Sequence, residues 1–327
     1  MIPCTSFTVP FFWARVAIVR RISLIRSIRP VWDGNEVWLL AAGGTLYFAF
    51  PLLYASAFSG FYLPLMIVLW LLIARGISLE LRSHMPVGVW RDLLGGLFAF
   101  SSTLLPVFFG AALANVIRGV PLHQDGYFFL PLWTNFQVGT LPGILDWYTV
   151  LRGVLALVAL STHGALWISL KTGGEVEQRA RVTVSRLWWL LILLTPLSLV
   201  ATMAVRPTSL QNYLASPVSF IIPLIIIGSL VGIRYFNHRS LALQGFLSSS
   251  AFLFFMLAGA TFGLYPSLMP SSTPGIADLT VDRCISGIHT LSVGLVWWGF
   301  GMLLAVGYFV LVYTMFRGKV DMKEAAD

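Results

Sequence analysis

The sequence is poor in charge. Only 10% of its 327 residues are charged and 57% are apolar, with a mean hydropathy of +0.84. A soluble domain of this length needs roughly a quarter charged residues to keep its surface wet. Lipid is therefore the main solvent of this chain. Cysteine is nearly absent: Cys4 and Cys284 stand at opposite ends and form no CxxC or CxxCH pattern, so neither a disulfide nor covalent c-type haem finds support. Histidine is scarce, at five. A haem held between helices needs axial His or Met ligands at matching depth. Only His163 lies well inside an apolar run, with no evident partner, and Met203, Met256 and Met302 read as packing residues. No cofactor or metal site is expected in this chain. Walker and GxGxxG motifs are missing, so nucleotide-driven transport also finds no support.

What the chain has is long hydrophobic runs. A bilayer core is about 30 Å thick and takes about 17 or more apolar residues as a helix. Eight runs qualify: Glu36 to Ala57, Phe58 to Ala74, Leu93 to Ile117, Leu145 to Leu170, Leu187 to Val205, Pro217 to Ile233, Leu243 to Leu264 and Leu291 to Phe316. Segments of roughly ten residues with period-2 alternation, the mark of a membrane barrel, are not seen. The expected fold is an all-α, polytopic helix bundle over residues 30–320, with a polar tail at 321–327.

Basic residues set the orientation, because Lys and Arg are retained on the cytoplasmic side of short loops. Eight spans with both termini inside put every one of the 21 there except Arg118, Arg206 and Arg283 outside and Arg152 within a span. The net charge of +8 then reflects topology and anionic lipid headgroups, and no nucleic-acid partner is expected. Residues 1–29 carry five arginines at intervals no span accepts, and read as an interfacial basic segment. Between spans, the aromatic outer loop Arg118 to Gly143 offers Tyr127, Phe128, Phe129, Trp133 and Phe136 to the headgroup belt. KTGGEVEQRARVTVSR reads as a solvated inner connector.

Two polar features interrupt the apolar pattern. In PVWDGNEVW, Asp33 and Glu36 stand one helical turn apart at the mouth of the first run. They read either as a cap, Asp33 accepting from first-turn N–H groups and Glu36 reaching back, or, with Asn35, as an entry for protons. Arg152 lies about 10 Å into the fourth run, close enough to snorkel outward or pair with Asp146 or Asp125. His163 falls on the same helical face eleven residues on, so the two form a candidate polar seam.

PVWDGNEVWLLAAGGTLYFAFPLLYASAFSGFY resembles the signature region of subunit II of the cytochrome bd family of quinol oxidases. RGISLELRSH, ANVIRGVPL, GILDWYTVLRGVLALVALSTHGALWISLKTGG, YPSLMPSST and VGLVWWGFGMLLAVGYFVLVYTMFRGKV follow in the family's order, covering roughly Arg20 to Val320. The resemblance implies a haem-free subunit of an oxygen-reducing complex, catalytic only together with subunit I. Haems b and d and the quinol belong to subunit I in that family, which forms a heterodimer in the bacterial cytoplasmic membrane, in some cases with a small accessory subunit. It further implies a proton path at Asp33 and an oxygen path at Trp38. Family members have nine spans, as two four-helix bundles plus a peripheral helix. The first span, with its acidic motif, precedes the basic segment and has no counterpart in this reading. Two other classes stand beside it. A secondary transporter should show inverted repeats, and none is visible between the halves. A purely structural or assembly subunit would stabilise a haem-bearing partner without any path of its own.

Overall fold

The computed structural model of the chain describes residues 27–82, 84–85, 88–139 and 142–319. Most of the basic N-terminal segment and the polar tail lie outside the described residues. In order come α1 (Trp32–Ala49), α2 (Pro51–Gly60), α3 (Tyr62–Leu81), α4 (Gly88–Arg118), α5 (Trp147–Lys171), α6 (Gly174–Val205) and the short α7 (Ser209–Ala215). A 3-10 turn (Pro217–Phe220) leads into α8 (Ile221–His238), followed by α9 (Ala242–Leu264), α10 (Val281–Cys284) and α11 (Ile288–Met315). A two-stranded antiparallel pair, β1 (Ser267–Met269) and β2 (Leu279–Thr280), decorates the loop after α9. The expected all-α membrane bundle is what forms.

Among the described residues seven helices are long and apolar enough to cross a bilayer: α3, α4, α5, α6, α8 with its 3-10 turn, α9 and α11. The remaining expected span, Glu36 to Ala57, is divided. A residue before proline is pushed out of the helical region, and Phe50 sits at φ −136°, ψ 65°, after which Pro51 opens α2. The carbonyls of Phe48 and Ala49, released by the break, accept from Ser286, the first from its Oγ and the second from its backbone N at 2.9 Å. With its 18 residues, α1 reaches only about 27 Å.

The inner connector after the fourth run is not a loop. From Gly174 onward its residues belong to α6, which runs for 32 residues, about 48 Å, and so outlasts a ~30 Å hydrocarbon core. Val176 and Ala180, one turn apart, bury against Ile168 of α5, and this packing favours helix over solvated coil. Glu175 and Glu177 lie in the first turn, at the positive end of the helix dipole. The reversal from α5 is tight, and Gly174 supplies it with a φ of +61°.

Helices α5, α6, α8 and α9 close a four-helix bundle, α5 packing on α6 and α9, and α8 on the same two. On the far side of α5 lies α4, then α3, while α11 rests along α1. The approach of α4 to α5 depends on glycine: a Cβ at Gly110 would lie 2.7 Å from the Arg152 carbonyl oxygen, and one at Gly153 2.9 Å from that of Val107. Lipid tails are as apolar as leucine, so membrane helices gain from close backbone packing at small residues.

At the opposite end from the start of α1, residues 119–139, 142–146 and 265–287 fold into a cap over α2. Its core holds Leu122, Phe128, Leu130, Ile144, Met269, Leu279 and Cys284 against Leu53 and Phe61. Phe128, expected in the headgroup belt, is 4% exposed, whereas Tyr127, Phe129, Trp133 and Phe136 do face outward. Asp278 organises the cap, accepting from Ser267 Oγ at 2.6 Å and Ser271 N at 2.8 Å and pairing with Arg206, the residue that follows α6, at 3.5 Å.

Replacing Gly110 by Leu should separate α4 from α5 and cost about 1–3 kcal/mol, seen as an earlier thermal unfolding midpoint in detergent. Gly43→Leu, where a Cβ meets nothing within 4 Å, should leave the midpoint unchanged.

Candidate functional site

The start of α1 does not use its carboxylates as a cap. The helix begins at Trp32, with Val31 as the flanking residue and no side-chain cap bond. Asp33 therefore falls inside the first turn and is exposed. Glu36 reaches sideways and pairs with Arg75 of α3, whose side chain is 3% exposed. A nearly buried guanidinium without a counter-charge is costly, and that need outweighs a hydrogen bond to an end that the solvent can reach. Asn35 is 2% exposed, and neither its amide oxygen nor its nitrogen has a protein partner. Such a group in a native fold points to an internal water or a ligand. Trp38 stacks on Phe309 of α11 with ring centres 5.5 Å apart. Asp33 and Trp38 line one wall of a cleft of about 720 Å³ between α1 and α11. The structure thus brings Asp33, Asn35, Glu36 and Trp38 to one helix end but aims them differently: cleft, interior, α3 and cleft again.

Arg152 neither snorkels nor pairs with Asp146 or Asp125. Its Nη1 donates to Ser198 Oγ of α6 at 2.6 Å. Asp146 is taken: it forms a buried ion pair with Arg118 at the end of α4. It also caps α5, accepting from Thr149 N at 2.8 Å while its own backbone N donates to Thr149 Oγ1 at 2.8 Å. Asn115 completes the group, accepting from Arg118 Nη2 at 2.6 Å and donating to the Ile144 carbonyl at 3.0 Å. Sequence reading assigned Arg118 to the outer loop and missed this cluster. The available signal was an Arg and an Asp closing one apolar run and opening the next.

His163 is fully buried, with Nδ1 2.7 Å from Ser249 Oγ of α9 and its ring stacked on Phe246 at 4.5 Å. Its Nε2 has no partner. Arg152 and His163 are each bonded to a neighbour of α5 in the four-helix bundle, the first to Ser198 of α6 and the second to Ser249 of α9. They remain about 16 Å apart along the axis and answer to different helices. The surroundings of His163 are a hydroxyl and a phenyl ring, and among the described residues no three of His, Cys, Asp and Glu gather in one place. Cys284 is 1% exposed in the cap, where burial pushes its thiol up.

Residues 5–316 match the family "Cytochrome bd terminal oxidase subunit II". The chain belongs to this family. Among its relatives is the "Cytochrome bd-I ubiquinol oxidase subunit 2" of Escherichia coli K12, 30% identical over 86% of this chain and 80% of that one. The "Probable cytochrome oxidase subunit 2" of Haemophilus influenzae is 29% identical, covering 93% and 85%. The "Cytochrome bd ubiquinol oxidase subunit 2" of Bacillus subtilis is 28% identical, covering 93% and 86%. The fold is that of a chain in the bd oxidase of Geobacillus thermodenitrificans, with a TM-score of 0.75 at 18% identity over 96% of this chain and 93% of that one. As a member of the bd subunit II family with seven described helices able to span a bilayer, this is a multi-pass bacterial membrane protein and a component of a terminal oxidase. The family match begins at residue 5, upstream of Arg20, where the resemblance of the motifs starts.

Asp146→Ala should destabilise the fold by about 3–5 kcal/mol, since it leaves Arg118 buried without a counter-charge and uncaps α5. The double variant Asp146→Asn, Arg118→Met should recover much of that loss, as compared by thermal unfolding in the same detergent.

Proposed function

We propose that this chain is the haem-free subunit II of a cytochrome bd-type oxidase, which couples quinol oxidation to reduction of oxygen to water and is catalytic only with subunit I. Family membership over nearly the whole chain is the observation that carries this reading. In it, haems b and d and the quinol are held by subunit I, the two chains form a heterodimer in the bacterial cytoplasmic membrane, and both termini are cytoplasmic. Membrane lipid and quinone are its surroundings, a small accessory subunit is a further partner, and nucleic acid is not.

Within the complex, Asp33 is the entry for protons from the cytoplasm. It is exposed, it lies at the mouth of α1, and it is free of any ion pair among the described residues. Asn35 follows it inward, where its unsatisfied amide is suited to hold a water. Glu36 serves chiefly to balance Arg75. Trp38 is the oxygen-path residue, and its place on an apolar cleft between α1 and α11 supports that role. The seam of Arg152 and His163 is the interior polar element of the bundle, anchored by Ser198 and Ser249.

The deciding experiment is coexpression with subunit I, followed by a reduced-minus-oxidised spectrum and quinol-dependent oxygen uptake. The reading expects a haem-d-type signal and uptake. Their absence overturns it, and accumulation of a solute by the chain alone in vesicles would make it a transporter. Asp33→Asn should preserve assembly and the spectrum while slowing quinol oxidation severalfold. Unchanged turnover would remove the proton role. Trp38→Ala should raise the apparent KM for oxygen more than it lowers kcat.

A further inference from the structure

We propose that the start of α6 and the end of α8 form a binding site for one anionic phospholipid, its phosphate held between Arg181 and Arg234 and its acyl chains laid between the two helices. This goes beyond the oxidase assignment, and the orientation proposed above places the site in the cytoplasmic leaflet.

Helix length brings both arginines to headgroup depth. A ~30 Å hydrocarbon core takes about 20 residues of helix. Counted back from Val205, the far end of α6, the core ends near Ser185. Arg181 lies one turn beyond it. On the neighbouring α8, the same count from Pro217 ends near Asn237, one turn past Arg234 and within reach of its side chain.

Within that layer the two guanidinium groups are fixed in place. Arg181 Nη2 donates to the Asn237 carbonyl at 2.7 Å and the His238 carbonyl at 3.4 Å. Asn237 returns the contact, its Nδ2 donating to the Arg181 carbonyl at 3.1 Å and to Ser185 Oγ at 3.0 Å. Arg234 lies over the ring of Trp188, 5.6 Å from its centre, and Trp188 Nε1 is itself tied to the Leu230 carbonyl at 2.8 Å. Among the described residues neither arginine pairs with a carboxylate, the ion pairs being made by other cations. Arg234 makes no hydrogen bond there, and Arg181 keeps Nε and Nη1 uncommitted.

Two positioned cations without counter-charges suit a phosphodiester, whose two non-ester oxygens match guanidinium forks. The Ser185 hydroxyl, which accepts from Asn237, still has a proton to donate. Net charge selects the lipid class. Phosphatidylglycerol brings a negative charge uncompensated, whereas the ammonium of phosphatidylethanolamine would stand among like charges, with the exposed Arg186 beside the pair. Toward the bilayer centre the same two faces continue in Ile192, one turn after Trp188, and Ile227, two turns before Arg234, both exposed. Apolar surface for acyl chains thus begins directly below the headgroup position.

The test is native mass spectrometry of the complex with subunit I, stripped of lipid in detergent and titrated with phosphatidylglycerol, phosphatidylethanolamine or inorganic phosphate. Its readout is retained lipid mass, so a complex without oxidase activity decides it equally well. Phosphatidylglycerol should be retained in preference to phosphatidylethanolamine. Arg234→Gln should weaken one phosphatidylglycerol site roughly tenfold, as for a lost charge-assisted contact, with little change in thermal midpoint; Arg181→Gln replaces it should the first variant not assemble. Arg179→Gln removes the same charge from the far side of α6, about 200° round from Arg181, and should leave that site unaltered. Equal retention of the two lipids, displacement of the lipid by inorganic phosphate, equal weakening by Arg179→Gln, unchanged binding in a folded Arg234→Gln complex, or cross-linking of Ile227→Cys to subunit I would each overturn the proposal.

Discussion

In hydrocarbon no water is at hand to satisfy a charge, so each buried ionic group must find its partner within the protein or pay heavily for its isolation. The junction of α4 and α5 shows how far this governs the fold. Asp146 neutralises Arg118 and caps α5 in one position, and Asn115 ties the guanidinium to the loop backbone. Three demands meet in a few side chains. With that junction fixed, the close approach of Gly110 and Gly153 sets the spacing of the two helices. From α5 the four-helix bundle grows on one side and the layer of α4 and α3 on the other.

The same rule explains why the first helix is built as it is. Arg75 lies within α3 at a depth where it needs a carboxylate, and Glu36 provides it. That leaves Asp33 without a structural duty. Its neighbour three residues on holds the fold through an ion pair while Asp33 does not, so a motif that looks symmetrical on paper is divided.

Much of this was legible from composition and pattern. The apolar runs became helices, His163 became a buried side chain on a helix face, and the motif order led to the family. The misreadings have physical sources. Residues 174–186 are dense in charge and resemble coil, yet Val176, Ala180 and Val184 recur every four residues and are all buried; the charges concealed a helical stripe. The cap motif failed by register, because the helix starts at Trp32 and carries Asp33 inside it. Arg118 and Asp146, like Arg152 and Ser198, are joined across long separations in the chain. No local spacing encodes such pairs. In the outer loop, aromatic character alone did not reveal which rings meet lipid: Phe128 turns inward because Gly60 leaves room for its ring, while its neighbours Tyr127 and Phe129 stay out.

The interruption at Phe50 and Pro51 reaches further than the helix it divides. An uninterrupted helix would keep the carbonyls of Phe48 and Ala49 for its own next turn. Broken, it presents them sideways, and Ser286, just ahead of α11, docks on both. A ring closure in one side chain near the beginning of the chain thereby chooses the berth of its last helix, more than two hundred residues away in sequence. Family members that alter the proline would be expected to alter Ser286 with it, as two halves of a single joint.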